Sequence, residues 1–181
     1  AMVGSEQIKG MDKIKFWDTL TLSGGERFQV LAAAMANKAG WSIEKILERL
    51  AEIRKHTEVI YTLETLDYLA RGGRIGRVSA LMGSILKLKP VINVSHEDGK
   101  YNTVTKVRTI PSALNAIADN LVETYSNEPV WVTVLHGKFQ QGADDLAEIL
   151  KGRLTISKIE VQRISPVLGV HTGPGLSLIH I

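Results

Sequence analysis

Two short stretches combine bare backbone with ionisable side chains: Arg71-Gly72-Gly73-Arg74-Ile75-Gly76-Arg77 and His171-Thr172-Gly173-Pro174-Gly175. Glycine costs a folded chain conformational entropy, so repeated glycines beside arginine or histidine need a reason. The residue types suit an anion. Arg74 offers a permanent charge on a fork of donors that matches a carboxylate or a phosphate. His171 can donate to an oxyanion and titrates near neutrality. Gly72 and Gly73 allow a sharp turn with exposed N–H groups, and the element after them adds a partly positive N-terminus. Blander readings fit too: a helix C-cap beside a solvated arginine, and a histidine bonded to a carbonyl in a tight turn.

Other candidates are weaker. Arg108 closes a strand expected at 101–107, where the period of two puts it on the same face as Lys106. Either can point into a cleft or into solvent. His136 precedes Gly137 at the end of another apolar run, while His56 and His96 lie in polar contexts that read as surface. Ser23-Gly24-Gly25 resembles a phosphate-cradling turn but lacks the Gly-Lys-Ser/Thr of a nucleotide loop. No His/Asp/Glu spacing suggests a metal, and no Gly-x-Ser-x-Gly elbow occurs. No catalytic residue, metal ligand or cofactor is assigned.

The elements that must position these residues follow from periodicity. Residues 14–17 read as a short strand. Ser23-Gly24-Gly25 opens a helix with Phe28, Leu31, Ala32, Met35 and Ala39 at 3.6-type spacing, ended by Gly40. Ser42 caps a second helix that buries Ile43, Ile46, Leu47, Leu50 and Ile53. A short strand at 59–61 and one or two helical turns at 64–69 lead into the first glycine stretch. Val78, Leu81, Met82, Ile85 and Leu86 form a further apolar helical stripe, broken by Pro90. Asp98-Gly99 signals a hairpin between 91–94 and 101–107. A clear amphipathic helix spans 110–125, then strand 130–135, helix 143–150 and strand 156–161. Residues 167–170 read as a β-type run that sets His171 at a strand end, where open α/β sheets place ligands. The fold class expected is α/β, a mixed sheet with antiparallel pairs covered by helices.

Composition narrows the function classes. The chain has 181 residues, 44% hydrophobic and 23% charged, which is ordinary for a globular protein. Net charge is +3 without a Lys/Arg run, which disfavours nucleic acid as a partner. No cysteine is present, so disulfides and thiolate metal sites are excluded, and a cytoplasmic setting is expected. No apolar run is long enough to span a bilayer. Residues 1–13 are expected to be disordered or expression-derived. Residues 14–70 read as the terminal part of an N-terminal α/β domain and 71–175 as a C-terminal α/β domain. Residues 176–181 match the translation of a common sequencing-adaptor repeat and read as a non-native tail.

Taken together, several stretches resemble the DegV family of bacterial fatty-acid-binding proteins. They are Thr62-Leu63-Glu64-Thr65-Leu66-Asp67-Tyr68-Leu69-Ala70-Arg71-Gly72-Gly73-Arg74-Ile75-Gly76, Leu86-Lys87-Leu88-Lys89-Pro90-Val91-Ile92 with Gly99, Lys106-Val107-Arg108, and His171-Thr172-Gly173-Pro174-Gly175. The resemblance covers roughly residues 18–175. It implies two α/β domains that enclose a long acyl chain in an apolar tunnel, with the carboxylate at their interface. It also implies a partner fatty-acid kinase that converts the bound acid to an acyl phosphate, the binding subunit having no ATP site of its own. By the same resemblance, Arg74, Arg108 and His171 surround the head group with Gly72, Gly73, Gly173 and Gly175. The alternative role implied for Arg74 or Arg108 is to face the kinase. Transient membrane contact would serve lipid exchange. The family's N-terminal hydroxyl motifs are absent, so the head-group site is expected to be incomplete. The competing classes are an enzyme acting on a small phosphorylated metabolite and a regulatory interaction module.

Overall fold

The computed structural model describes residues 14–81, 88–125 and 128–175, and the backbone of a strand at 177–180. Two helices lead, α1 (Ser23–Lys38) and α2 (Ile43–Lys55), followed by β1 (Val59–Thr62), α3 (Asp67–Arg71) and a 3₁₀ helix (Gly76–Leu81). Then come β2 (Lys89–Val94), β3 (Tyr101–Val107), α4 (Ile110–Tyr125), β4 (Val130–His136), α5 (Gln140–Lys151), β5 (Ile156–Arg163), α6 (Pro166–Thr172) and β6 (Ser177–His180). Among the described residues the strands form one six-stranded sheet, in the order β3-β2-β1-β6-β4-β5. Its neighbours run antiparallel except β4 and β5, which are parallel. The mixed α/β sheet expected from the sequence is the one observed.

Alternation along the strands divides the core between two faces. Ile60, Val91, Val132 and Val134 pack beneath Leu114, Ile117 and Leu121 of α4 and Leu146 and Leu150 of α5. Tyr61, Ile92, Val94 and Leu135 face the other way, against Leu66 and Leu69 at α3, Val78 and Leu81 of the 3₁₀ helix, and Leu168 of α6. Each leucine fully buried in these layers contributes about 2 kcal/mol. Helices α1 and α2 close a third, smaller cluster around Ala36, Ile46 and Leu50. The Ser42 hydroxyl accepts from Lys45 N at 3.3 Å to start α2, and Gly40 ends α1 with φ +76°. Of the stripe expected beyond residue 77, Val78 and Leu81 are buried in the 3₁₀ helix. Met82, Ile85 and Leu86 lie outside the described residues.

Two expectations are corrected. Residues 14–17 are not a strand. They run without regular structure into Leu20 and Ser23, both at positive φ (49° and 52°). The segment is pinned by side chains instead: the Trp17 indole donates to Gln29 Oε1 at 2.6 Å, Gln29 Nε2 donates to Thr19 O, and Arg54 donates to Asp18 O. Residues 167–170 are not β-type either. Pro166 at the first turn and Ser165 as N-cap, its hydroxyl accepting from Leu168 N, start a helix whose last turn carries His171. Val167 and Val170 point to solvent at 76% and 69% exposure, so their apolar character reflects no buried strand.

The register defines which loops meet. Thr62 pairs with Val91 and Ser177, Val107 with Lys89, and His136 with Ser177 and Arg163. One end of the sheet therefore gathers Leu63 and Glu64, Lys89, Arg108, Gly137 and the loop Gly173-Pro174-Gly175.

Candidate functional site

The first glycine stretch begins as a helix terminus. Gly73, at φ +68°, sends its N–H to Ala70 O, and Arg74 N donates to Leu69 O at 2.8 Å. Gly72 N donates to Tyr68 O. These bonds make a Schellman closure of α3. They also commit the N–H groups of Gly72, Gly73 and Arg74, so the backbone donors expected to cradle an anion are occupied. What remains available is the Arg74 guanidinium. Its Nη1 donates to Gly72 O at 2.5 Å, which folds the side chain back over the turn. Its charge also reaches Tyr101, whose hydroxyl is pushed up by burial against smaller opposing pulls from Tyr61 and Arg74.

The second stretch ends α6 in the same manner. Gly173 lies at φ +77°, and its N–H closes the helix on Gly169 O at 2.9 Å. Pro174 O then accepts from Lys138 N at 2.8 Å. Gly137 is bare where this loop crosses it, since a Cβ there would lie 2.5 Å from Pro174 O. A Cβ on Gly173 would sit 2.5 Å from the Tyr68 ring, and one on Gly175 would sit 2.5 Å from Glu64 Oε2.

The two stretches meet at Gly72. The imidazole of His171 lies against its Cα, so close that any side chain there would strike Nδ1. That nitrogen is buried without a hydrogen-bond partner. The Arg74 guanidinium rests on the carbonyl of the same glycine. His171, Arg74, Gly72, Gly173 and Gly175 are thus brought into one neighbourhood, with Gly73 supplying its turn. Glu64, Tyr68 and Gly137 complete it. Glu64 and Tyr68 lie in the stretch that carries the family resemblance, and the tertiary contacts are what place them at the site. Lys89 Nζ donates to the Glu64 carbonyl at 3.2 Å and brings a cation to the same rim.

Arg108 is not in direct contact with this cluster. It follows β3, three strands from β6, a span of about 14 Å at ordinary strand spacing. It stands exposed on the same end of the sheet. His136 is 6% exposed with Nδ1 3.1 Å from Gly137 O. His96 is not plain surface: Nε2 lies 2.9 Å from Thr57 O and 3.3 Å from Glu58. Burial pushes the Glu58 carboxyl up, and His96 opposes it. Ser23-Gly24-Gly25 serves packing, with Gly25 bare against Thr21 and Thr57. Among the described residues no group of three or more His, Cys, Asp or Glu side chains could hold a metal.

An open apolar recess of about 850 Å³ lies elsewhere, lined by Phe28, Met35, Trp41, Ile53, Tyr125 and Trp131 among others. Val130 at its wall begins β4 and His136 ends it, so the recess is about 20 Å from the glycine loops. It is therefore distinct from the site.

A helix-covered mixed sheet with an arginine, a histidine and close-packed glycines at one end defines an α/β protein with a polar site beside an apolar layer. The comparisons place it further. The model of the DegV family of uncharacterised proteins matches residues 1–180. A DegV domain-containing protein of Deinococcus radiodurans is 36% identical over 163 residues, which are 90% of this chain and 57% of the relative. Another, from Clostridium perfringens, is 38% identical over 81% of this chain and 52% of its own length. The chain belongs to the DegV family, and it spans little more than half the length of these relatives. Among solved structures, a DegV family protein of Thermus thermophilus described for fatty-acid binding superposes with a TM-score of 0.89 at 26% identity. It is matched over 99% of this chain and 63% of its own. A fatty-acid-binding DegV family protein of Streptococcus agalactiae gives 0.83 at 28% identity, over 92% and 59%.

Proposed function

We propose that this protein binds a long-chain fatty acid and presents its carboxylate to a fatty-acid kinase. The observation that carries the reading is the convergence of His171 and Arg74 on Gly72, at the margin of the apolar layer formed by Leu66, Leu69, Val78, Leu81 and Leu168. A carboxylate removed from water needs donors, or it costs several kcal/mol. An imidazole N–H and a guanidinium fork meet that need, while each methylene of the tail gains about 0.8 kcal/mol on burial. The fatty-acid binding described for the Thermus and Streptococcus relatives supports the same reading.

In the reaction proposed, a carboxylate oxygen attacks the γ-phosphorus of ATP on the kinase, giving acyl phosphate and ADP. In this reading the kinase holds the nucleotide. This chain fixes the head group, and Arg108, exposed at the sheet end, meets the kinase surface. A small phosphorylated metabolite fits less well. A phosphate cradle wants free N–H groups, and those of Gly72, Gly73 and Arg74 close α3.

The test is a titration with palmitate alongside mass spectrometry of lipid carried through purification. His171→Ala and Arg74→Ala should each weaken binding about tenfold, as expected for loss of a charge-assisted hydrogen bond. Lys100→Ala should not, because Lys100 pairs with Asp98 in the hairpin turn. Equal effects of all three would defeat the site assignment. Acyl-phosphate formation with added kinase and ATP tests the partner.

A further inference from the structure

We propose that Gly72 is a positioning residue for His171, making room for the imidazole and holding it in the tautomer that carries its proton on Nε2. The tautomer is inferred from the fold alone, and its consequence for a ligand rests on the fatty-acid reading.

The two adjacent glycines are needed for different reasons. Gly73 sits at φ +68° with nothing within 4 Å of a Cβ placed on it, so its backbone conformation demands glycine. Gly72 has φ −79° and ψ −1°, which any residue adopts. Backbone geometry therefore gives no reason for a glycine there. The reason is His171: a Cβ at 72 would strike Nδ1, lie 3.2 Å from Cε1, and lie 3.2 Å from Tyr68 O.

The same contact seals one edge of the ring. Nδ1 is buried and has no hydrogen-bond partner. A proton on it would make a buried N–H without a partner, the rarer and costlier defect; an unused lone pair is tolerated better. A neutral imidazole has one N–H, so the proton falls on Nε2. The result is a donor aimed away from Gly72, able to give a hydrogen bond to a carboxylate.

Long-range proton–nitrogen spectra of the full 181-residue chain, with ¹⁵N-labelled histidine, read the tautomer directly, and His171→Gln assigns the signal. The expected result at neutral pH is the Nε2–H form. An Nδ1–H form or a doubly protonated ring would overturn the proposal. Gly72→Ala should convert the signal to a tautomer mixture and weaken palmitate binding about tenfold. An unchanged His171 signal in that variant would also overturn it. Gly73→Ala strains the turn without touching the ring, so it should lower the melting temperature and leave the His171 signal as it was. If Gly72→Ala fails to fold, the wild-type spectrum alone decides. A wild-type chain with the Nε2–H signature that binds no palmitate would sustain the tautomer and sink the fatty-acid reading.

Discussion

Individual side chains at the site are held by contacts that leave little slack. Gly173 combines a left-handed backbone with the face of Tyr68 at a distance no Cβ tolerates. Gly173→Ala should therefore lose about 2 kcal/mol from backbone strain alone, before the clash is counted. A thermal melt against wild type measures it, and a change within a few tenths would refute the contact. The side chains proposed for the site were legible as types. Arginine and histidine beside glycine pointed to an anion, and both converge on Gly72. The role of the glycines was not legible, because the same Gly-Gly-Arg can expose its N–H groups or spend them closing a helix. Only the bonds to Tyr68, Ala70 and Leu69 distinguish the two.

Secondary-structure elements were readable where local chemistry and burial agree. The α4 stripe of Leu114, Ile117 and Leu121 is fully packed, and the Asp98-Gly99 turn closes β2 on β3, with Ser95 N donating to Lys100 O at 2.8 Å. Reading failed where apolar residues are not buried. Val167 and Val170 suggested a strand, whereas the Ser165-Pro166 pair, an N-cap followed by a first-turn proline, carried the better signal. Helix α1 is tied to β5 by charge: Arg27 Nη1 lies 2.7 Å from Glu160, which also takes Lys158. Hydrogen bonds from Arg27 and Lys158 hold the Glu160 carboxyl down at about 2, from the ordinary 4.5. A depressed carboxyl stabilises the fold above its ordinary value and loses that contribution as pH falls toward 2. Arg27→Gln should accordingly flatten the stability difference between pH 5 and pH 2.5, read from denaturant midpoints. An unaltered profile would show that the tie contributes nothing.

At the scale of the fold, the sheet and its two helical layers place the two glycine stretches at one end, and the apolar recess at the other. The recess turns apolar surface to solvent: Met35 in its lining is 71% exposed, with Trp41 and Trp131 also lining it. An environment-sensitive naphthalene dye should fluoresce with the native chain, and Met35→Glu should cut that signal by about half without lowering the melting temperature. The mixed sheet was readable from helices alternating with strands and one hairpin. The strand order was not, since no local pattern tells that a segment late in the chain lies between β1 and β4.

That placement has a consequence for any head group held by Gly173 and Gly175. Strand β6 is hydrogen-bonded to β1 on one side and β4 on the other, and among the described residues these two ladders are what join the sheet's halves. The loop that would grip a carboxylate leads straight into this seam. An acid gripped there would thereby link its occupancy to the union of the two half-sheets, and would fasten the molecule together as well as ride in it.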